Sequence, residues 1–287
     1  MAVLQANAPE EVVRFLKHPC IGQVLLVTSK GLYLELEQQI LLLCPDRWGV
    51  TPIGLSMADY PKLLQLQPAA GQPVTWQPGC LTFPGGDLPL ELISRKEKNI
   101  SGNFSREILR KTAEELLAQN RSTGLSRLAA PLLLNRMPEN ADIYCQLALP
   151  GFSHLMEGLK TNQTSQITQA VLTLLGLGTG LTPSGDDVLC GMLYVLLRSS
   201  RKQTEGIEAL VSAIRENAPQ KTNAISAAYL TALADGAPYE RMEITLAAIM
   251  TGQPEGIRYL TEVGSNSGSE MLLGMLLAGN LLCCMEE

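Results

Sequence analysis

Short apolar runs separated by turn residues fill the first third of the chain. Leu32, Leu34 and Leu36 alternate with Tyr33 and Glu35, which is the period-two pattern of a strand with one buried face. Similar runs predict strands at residues 23–28, 32–36, 40–44, 74–76, 80–83 and 88–93, preceded by a short helix after Pro9. We therefore predict a small antiparallel sheet or barrel, and the pattern leaves its strand number open.

The apolar spacing changes to three and four residues beyond a polar, linker-like segment at residues 95–102. This spacing predicts helices near residues 108–117, 167–175, 204–217, 223–235, 239–251, 254–263 and 268–284, several of them ended by a glycine. The chain is thus predicted to be an α+β protein, with an N-terminal antiparallel β-rich domain at residues 1–98 and a C-terminal all-α helical domain at residues 99–287. Strands followed by helices, without βαβ alternation, argue against a Rossmann or P-loop architecture.

Composition narrows the classes of partner and compartment. The chain of 287 residues carries a net charge of −6, which disfavours nucleic acid as a partner because phosphate contacts need a basic face. The seven cysteines are odd in number and form no Cys-x-x-Cys, so we expect buried thiols in the cytoplasm. The apolar run at residues 271–285 includes Asn280 and is shorter than the ~20 residues of a membrane span, so we predict a buried helix and no membrane association.

The most informative segment is a glycine-rich loop at residues 176–187, Gly-Leu-Gly-Thr-Gly-Leu-Thr-Pro-Ser-Gly-Asp-Asp. Glycine permits positive φ and lets a ligand approach the main chain closely. Ser184 is suited to cap the following helix, and Asp187 lies three residues further on, where the acid of a capping box belongs. The spacing is neither that of a P-loop nor that of a Rossmann loop, because acids stand where a phosphate loop has Lys and Ser or Thr.

A short internal repeat links this loop to the C-terminal helix. Residues 184–193 and 267–276 share Ser, Gly, an acid, Leu, Gly, Met and Leu at identical offsets. One explanation is that two buried helices begin with similar capping boxes, Ser184 with Asp187 and Ser267 with Glu270. The other is that helices 184–199 and 267–284 cross at Gly191 and Gly274, with their N-termini converging on one pocket. We predict the crossing, since glycine allows a closer approach than the usual 8–10 Å between helix axes.

Adjacent acids beside the loop, Asp186 and Asp187, are the candidate catalytic residues. They can bind Mg²⁺, orient an amide or carbamoyl group, or act as a base. The alternative role is compensation of the helix dipole. For Asp187 this role and a functional role are equally supported. For Asp186 a functional role is favoured, because Asp186 is not at the position of the capping acid. With only two histidines, His18 and His154, a catalytic triad or a histidine-rich metal site is not expected.

We predict one pocket lined by the glycine loop, the start of the 267 helix and the face that bears Ser226. Ser226 and Tyr229 are three residues apart and share a helix face. The N–H groups at the two helix starts suit a small carboxylate or phosphate ligand. The candidate ligand-binding residues are Gly178, Gly180, Thr182, Ser184, Gly185, Ser226, Tyr229, Ser267, Gly268 and Glu270.

Three motifs together resemble the AllH family: the glycine loop, then Ser-x-x-Tyr-Leu at residues 226–230, then Gly-x-x-Ser-Gly-x-Glu-x-Leu-x-Gly at residues 264–274. The loop positions carry over individually, at Gly176, Gly178, Gly180, Thr182, Pro183, Ser184, Gly185, Asp186 and Asp187. The resemblance implies a subunit of a complex that splits oxalurate with phosphate into oxamate and carbamoyl phosphate. It also implies two partners, an FdrA-like protein related to the succinyl-CoA synthetase fold and an AllG-like protein. The named family member has His at the position of Gly185 and Thr at that of Asn266, so the substrate stays open.

Two functional hypotheses follow. In the first, the chain is a subunit of a carbamoyltransferase-like complex of allantoin-type nitrogen metabolism, inactive alone, acting on a small ureido or carboxylate metabolite with phosphate and with Mg²⁺ as an optional cofactor. In the second, it is a non-catalytic scaffold or a metabolite-binding regulatory subunit. The concentration of glycines and acids in one loop favours the first, and the lack of a strong nucleophile favours the second.

Overall fold

The computed structural model describes residues 3–96, 100, 102–118, 124–137, 142–198 and 204–285. It divides into two compact units. One comprises Met1–Lys98 with Ala237–Arg241, and the other comprises Asn99–Gly236 with Met242–Glu287. Of the polar segment expected to link two domains, residues 97–99 and 101 lie outside the described residues.

A closed barrel of eight strands forms the first unit, in the order β1-β5-β4-β3-β2-β6-β7-β8. The strands are β1 (Leu4–Pro9), β2 (Cys20–Val27), β3 (Leu32–Leu36), β4 (Gln39–Pro45), β5 (Gly54–Met57), β6 (Pro73–Gln77), β7 (Cys80–Phe83) and β8 (Gly86–Arg95). Two short helices, α1 (Glu10–Phe15) and α2 (Tyr60–Leu64), lie between strands.

The predicted β-rich start of an α+β protein is confirmed, with one correction to its pairing. The sheet is not wholly antiparallel, because β1 pairs with β8 and β4 pairs with β5 in parallel. Both parallel pairs involve strands that the apolar pattern did not predict, β1 and β5. The barrel closes through them, so no strand edge is left unpaired.

Leucine side chains from the alternating strand fill the barrel interior. Leu32, Leu34 and Leu36 of β3 are fully buried, as the period-two pattern predicts. Trp76 is also buried, and its Nε1 donates to the Leu16 carbonyl at 2.7 Å. Each such large apolar side chain stabilises the fold by about 1.5–3 kcal/mol through burial.

In the described residues, the regular secondary structure of the second unit is helical. They are α3 (Arg106–Ala118), α4 (Ala129–Leu133), α5 (Ile143–Thr161), α6 (Thr164–Leu174), α7 (Ser184–Arg198), α8 (Glu205–Lys221), α9 (Ala224–Ala234), α10 (Glu240–Thr251), α11 (Pro254–Thr261) and α12 (Ser267–Cys284). The first two residues of α10 are grouped with the barrel. The helices predicted from the three-and-four spacing are present, with ends that differ by a few residues. Helix α5, which contains Pro150, was not predicted.

The centre of the helical unit is the crossing of α7 and α12. A Cβ at Gly191 would lie 2.0 Å from the Met271 carbonyl oxygen, and one at Gly274 would lie 2.0 Å from the Val188 carbonyl oxygen. Any side chain at either position would therefore meet the backbone of the other helix. The predicted crossing at these two glycines is confirmed.

Helix α12 is long and apolar enough to cross a membrane by length and composition alone. However, 83% of its apolar window is buried inside the protein. The partners that bury it belong to the same helical unit, with α7 foremost among them. Its apolar composition is thus explained by its position as a core helix.

Candidate functional site

The loop between α6 and α7 depends on glycine at three positions. Gly176, Gly178 and Gly180 have φ of +74°, +121° and +108°, a region that other residues rarely adopt. A Cβ would lie 2.3 Å from the Lys221 carbonyl oxygen at Gly176, and 2.6 Å from the Ser184 nitrogen at Gly178. A Cβ at Gly180 would make only an ordinary contact, with the Thr182 carbonyl oxygen at 3.8 Å, so only the backbone conformation demands glycine there.

The side chain of Asp186 anchors this loop through a hydrogen bond to its first residue. The side chain is fully buried, and its Oδ1 accepts from the Gly176 N–H at 2.8 Å. Its Oδ2 accepts from Thr222 Oγ1 at 2.5 Å and from Ser226 Oγ at 2.6 Å. Burial raises the pKa of Asp186, and these three hydrogen bonds oppose that rise. The carboxylate therefore ties the loop to the start of α9, and both its oxygens are occupied.

The acids Asp187 and Glu270 are also buried, and each pairs with the serine that opens the other helix. Asp187 is hydrogen-bonded to Ser267, and its Oδ2 accepts from Thr182 Oγ1 at 3.0 Å. Glu270 is hydrogen-bonded to Ser184, and its Oε1 accepts from the Leu125 N–H at 3.1 Å. The two helix starts are thus joined reciprocally.

This pairing corrects the prediction of two capping boxes. The N-cap of α12 is Asn266 and makes no side-chain cap hydrogen bond, so Ser267 does not cap its own helix. Helix α7 begins with Ser184 itself. The physical reason is the glycine crossing, which brings the two N-termini close enough for each serine to reach the acid of the other helix.

Burial dominates the electrostatics of this acid pair. It raises the pKa of Asp187 well above its ordinary value, and the nearby charge of Glu270 raises it further. Burial likewise raises the pKa of Glu270, against the hydrogen bonds from Ser184 and the Leu125 N–H. Both acids therefore hold their protons more tightly than exposed carboxyl groups do.

A metal ion does not fit the surroundings of Asp186, whose two oxygens face three hydrogen-bond donors of the chain. Among the residues that the structure describes, no group of three or more His, Cys, Asp or Glu side chains is arranged to hold a metal.

The candidate ligand-binding residues fall into an accessible set and a buried set. Gly180 is exposed, and Gly178, Thr182, Ser184 and Ser267 are partly exposed. The buried set is Gly185, Ser226, Tyr229, Gly268 and Glu270. The structure brings Ser226 to Asp186, whereas Tyr229 is buried one turn further along α9. A Cβ at Gly185 or Gly268 would lie 2.2 or 2.0 Å from a carbonyl oxygen of the preceding helix.

Three groups around the site were not predicted as functional. Thr222 bonds Asp186, and the only sign of it in the sequence is its position at a helix start. Asn223 caps α9 through the Ser226 N–H at 3.0 Å, and its Nδ2 donates to the Leu181 carbonyl at 3.0 Å. The Leu125 N–H, which bonds Glu270, is a backbone group that no residue pattern predicts.

The fold and site define a helical unit in which one glycine loop and two crossed glycine-containing helices form a single buried polar centre. Comparison with known protein families finds a match over this part of the chain. The model described as oxamate carbamoyltransferase subunit AllH matches residues 174–279, which run from the end of α6 to within α12. Over that segment, which holds the loop and both helix starts, the chain is similar to the AllH family, and the resemblance noted in the sequence is confirmed. No solved structure matches the chain.

Proposed function

We propose that the chain is a subunit of a cytoplasmic carbamoyltransferase-type complex acting on a small ureido or carboxylate metabolite with phosphate. Its partners in this proposal are an FdrA-like and an AllG-like protein, and it is inactive without them. The family description supports the reaction class, since it names a subunit of such an enzyme.

The observation that carries the proposal is the accessible loop tip, residues 178–182. The start of the same loop is anchored by the buried Asp186 carboxylate. In the described part of the chain, none of the five backbone N–H groups of this tip donates a hydrogen bond. The tip leads into the N-terminus of α7, which carries about half a positive charge. Free N–H groups beside a helix start favour a carboxylate or phosphate oxygen. We therefore place the small anionic ligand at this tip.

Asp186 acts as a positioning residue in this proposal. It cannot offer a free oxygen to a ligand while Gly176, Thr222 and Ser226 donate to it. It can, however, fix the geometry of the tip through the Gly176 N–H. Small displacements of substrate-positioning groups cost large factors in rate, so this role matters for catalysis.

The burial of the acids also favours a second candidate, a non-catalytic scaffold. Asp186, Asp187 and Glu270 are each at most 2% exposed, and each is bonded to other groups of the chain. In this second candidate, the centre holds the helices together for partner binding and has no other role. The two candidates differ in whether the loop tip contacts a ligand.

The test is reconstitution of the chain with the FdrA-like and AllG-like proteins, followed by measurement of carbamoyl phosphate formed from a panel of ureido acids and phosphate. Gly180→Ala strains the tip backbone without a steric clash, since no atom outside the loop lies near its Cβ position. Gly236→Ala is the matched control, because Gly236 also has positive φ, +85°, and open space. We expect assembly in both variants and loss of activity only in Gly180→Ala.

Two outcomes contradict the proposal. If the assembled wild-type complex forms no carbamoyl phosphate from any ureido acid, the reaction class is wrong. If the Gly180→Ala complex assembles and retains full activity and ligand affinity, the tip is not the ligand site and the scaffold role is favoured.

A further inference from the structure

Three side chains where the loop tip meets the starts of α7 and α12 form a closed ring of oxygen contacts. Thr182 Oγ1 lies 3.0 Å from Asp187 Oδ2 and 3.1 Å from Ser267 Oγ, and Ser267 is in turn hydrogen-bonded to Asp187. We define Thr182, Asp187 and Ser267 as the hydroxyl–acid ring. Thr182 and Ser267 are partly exposed, whereas Asp187 is only 1% exposed. The ring therefore links a buried acid to the accessible tip.

The ring has one proton too few if Asp187 is a carboxylate. Each hydroxyl carries one proton and donates one hydrogen bond, while an ionised carboxylate only accepts. If both hydroxyls donate to Asp187, no proton is left for the contact between Thr182 and Ser267. A proton on the carboxyl supplies the missing donor, so that each of the three groups donates once and accepts once.

The other two buried acids have partners of a different kind. Asp186 accepts from the Gly176 N–H. Glu270 accepts from the Leu125 N–H. A backbone N–H can only donate, so it favours the ionised form of the acid that it faces. Within the described residues, both hydrogen-bond partners of Asp187 are hydroxyls, which can equally accept from a protonated carboxyl. Asp187 is thus the acid of the three that is suited to carry a proton.

The titratable groups that face Asp187 do not favour its ionised form. Burial is the main cause that raises the pKa of Asp187, and the charges of Glu270 on α12 and of Asp186 on α7 raise it further, against the hydrogen bonds of the ring. Cys190, one turn further along α7, is buried, and burial raises the pKa of its thiol well above the ordinary value. These neighbours are two acids and a neutral thiol, so none of them stabilises a negative charge on Asp187.

We propose that the hydroxyl–acid ring holds a proton on Asp187 and passes it through Thr182 to the ligand at the loop tip. This inference rests on the proposed function, in which a ureido acid and phosphate react at the tip. Thr182 is then the group that contacts the ligand, and Asp187 acts through it. The ring gives the buried acid a purpose that helix packing alone does not require.

The leaving group of the proposed reaction needs such a proton. A phosphate oxygen attacks the carbamoyl carbon of the ureido acid, the bond from that carbon to the amide nitrogen breaks, and the nitrogen keeps the electron pair. The nitrogen takes the hydroxyl proton of Thr182, which the proton of Asp187 replaces, so the product leaves as a neutral amide. Hydrogen phosphate releases one proton when its oxygen bonds to the carbamoyl carbon. That proton returns to Asp187 through the same hydroxyls and restores the ring.

The proton on Asp187 can be tested in the full chain alone. Infrared spectroscopy distinguishes a protonated carboxyl from a carboxylate by its C=O stretching band. At neutral pH we expect a protonated-carboxyl band in the wild-type chain that Asp187→Asn removes. Asp235→Asn is the matched control, because it removes an exposed aspartate of the same unit and should leave the band unchanged. If Asp187→Asn also leaves the band unchanged, the proposal is wrong, whatever the activity of the complex.

Delivery of the proton is tested by the pH profile of kcat in the reconstituted complex. The wild-type kcat should fall with rising pH as Asp187 loses its proton. Asp187→Asn keeps the size and the hydrogen bonding but has no proton to transfer, so kcat should drop about a hundredfold or more with KM little changed, and this alkaline fall should vanish. Thr182→Val breaks the link and should do the same, whereas Thr182→Ser should restore both kcat and the profile.

Two kinetic outcomes overturn the proposal. One is full kcat in Asp187→Asn, and the other is a Thr182→Val complex that keeps the alkaline fall of the wild-type profile. Failure of the proposed function is distinguishable from both, because the wild-type complex would then form no carbamoyl phosphate at all. Proton delivery would fall with it, while the infrared band would still decide whether the ring holds a proton.

Discussion

The starts of α7 and α12 are alike in packing and different in what surrounds them. In both, a glycine of positive φ, Gly178 or Gly264, faces the serine that opens the helix. In both, the glycine directly after this serine, Gly185 or Gly268, packs on the preceding helix, and a later glycine packs on the other helix. Only the α7 start has an additional buried acid, Asp186, where α12 has Ser269.

This comparison distinguishes the features that both helix starts need for packing from those found at the α7 start alone. The shared features suffice to cross two helices and join their ends through reciprocal serine and acid pairs. The features found on one side only are Asp186 and the longer loop with three glycines of positive φ. The α12 start crosses and joins its partner without these features, so we infer that on the α7 side they hold the loop tip in place for the proposed ligand. Substitutions of the shared and of the unshared residues test this division.

The largest effect is expected where the two helices touch. Gly→Ala in a helix ordinarily stabilises a protein by about 0.5–1 kcal/mol. At Gly191 and Gly274 the added Cβ would meet backbone, so both substitutions should destabilise, and Gly191→Leu should cost on the order of 1–3 kcal/mol or more. Urea denaturation measures this. Unchanged or increased stability in either alanine variant would show that the helices separate without cost.

Substitutions at the equivalent positions of the two helix starts, Asp186→Asn in α7 and Ser269→Ala in α12, should differ in their effect on activity. The amide keeps the size of the carboxylate but removes its charge, so the tip should shift and the reconstituted complex should lose about a hundredfold in kcat, the order expected for a misplaced reacting group. Ser269→Ala, at the equivalent position of α12, should leave kcat unchanged. Equal activities of the two variants would remove the functional distinction between the helix starts.

The reciprocal acid pair predicts an unusual dependence of stability on pH. Burial raises the folded-state pKa of Asp187 and Glu270, so their contribution is fully present below their unfolded pKa values and is lost as pH rises through the folded values. A tenfold difference in proton affinity between the folded and unfolded states corresponds to about 1.4 kcal/mol of stability. Asp187→Asn or Glu270→Gln should flatten this fall in the free energy of unfolding. Asp59→Asn, which removes an acid from an exposed ion pair, should leave the pH dependence of the free energy of unfolding unchanged. If that pH dependence is the same in all variants, Asp187 and Glu270 are not its source.

The smallest effect is expected at Thr222. Thr222→Val removes one hydroxyl donor to Asp186 and should cost about 1 kcal/mol of stability, the usual net value of a hydrogen bond. Thr222→Ser keeps the hydroxyl and should restore the stability. A serine variant as unstable as the valine variant would mean that the methyl group, rather than the hydrogen bond, matters.

Sequence patterns predicted the crossing of α7 and α12 because the repeat places Gly191 and Gly274 at the same offset from each helix start. They could not predict the exchange of partners between Asp187 and Glu270, which depends on how close the crossing brings the two ends. Strand β5 has only four residues, Gly54–Met57, and its two alternating apolar side chains are too few to distinguish a strand from a loop. Helix α5 was hidden by Pro150 and Gly151, which usually mark a turn but here lie within a continuous helix.

The grouping of Ala237–Arg241 with the barrel has a consequence for dissecting the protein. A fragment ending near residue 98 would lack Glu240, whose carboxylate accepts from the Val50 N–H. It would also lack Arg241, which donates to two carbonyls of the 3₁₀ turn Asp46–Trp48. The complementary fragment would carry the same segment without its neighbours. Neither unit is therefore a continuous, separable stretch of chain. A barrel intended to fold alone needs this short segment supplied, either as an added peptide or grafted to its own terminus.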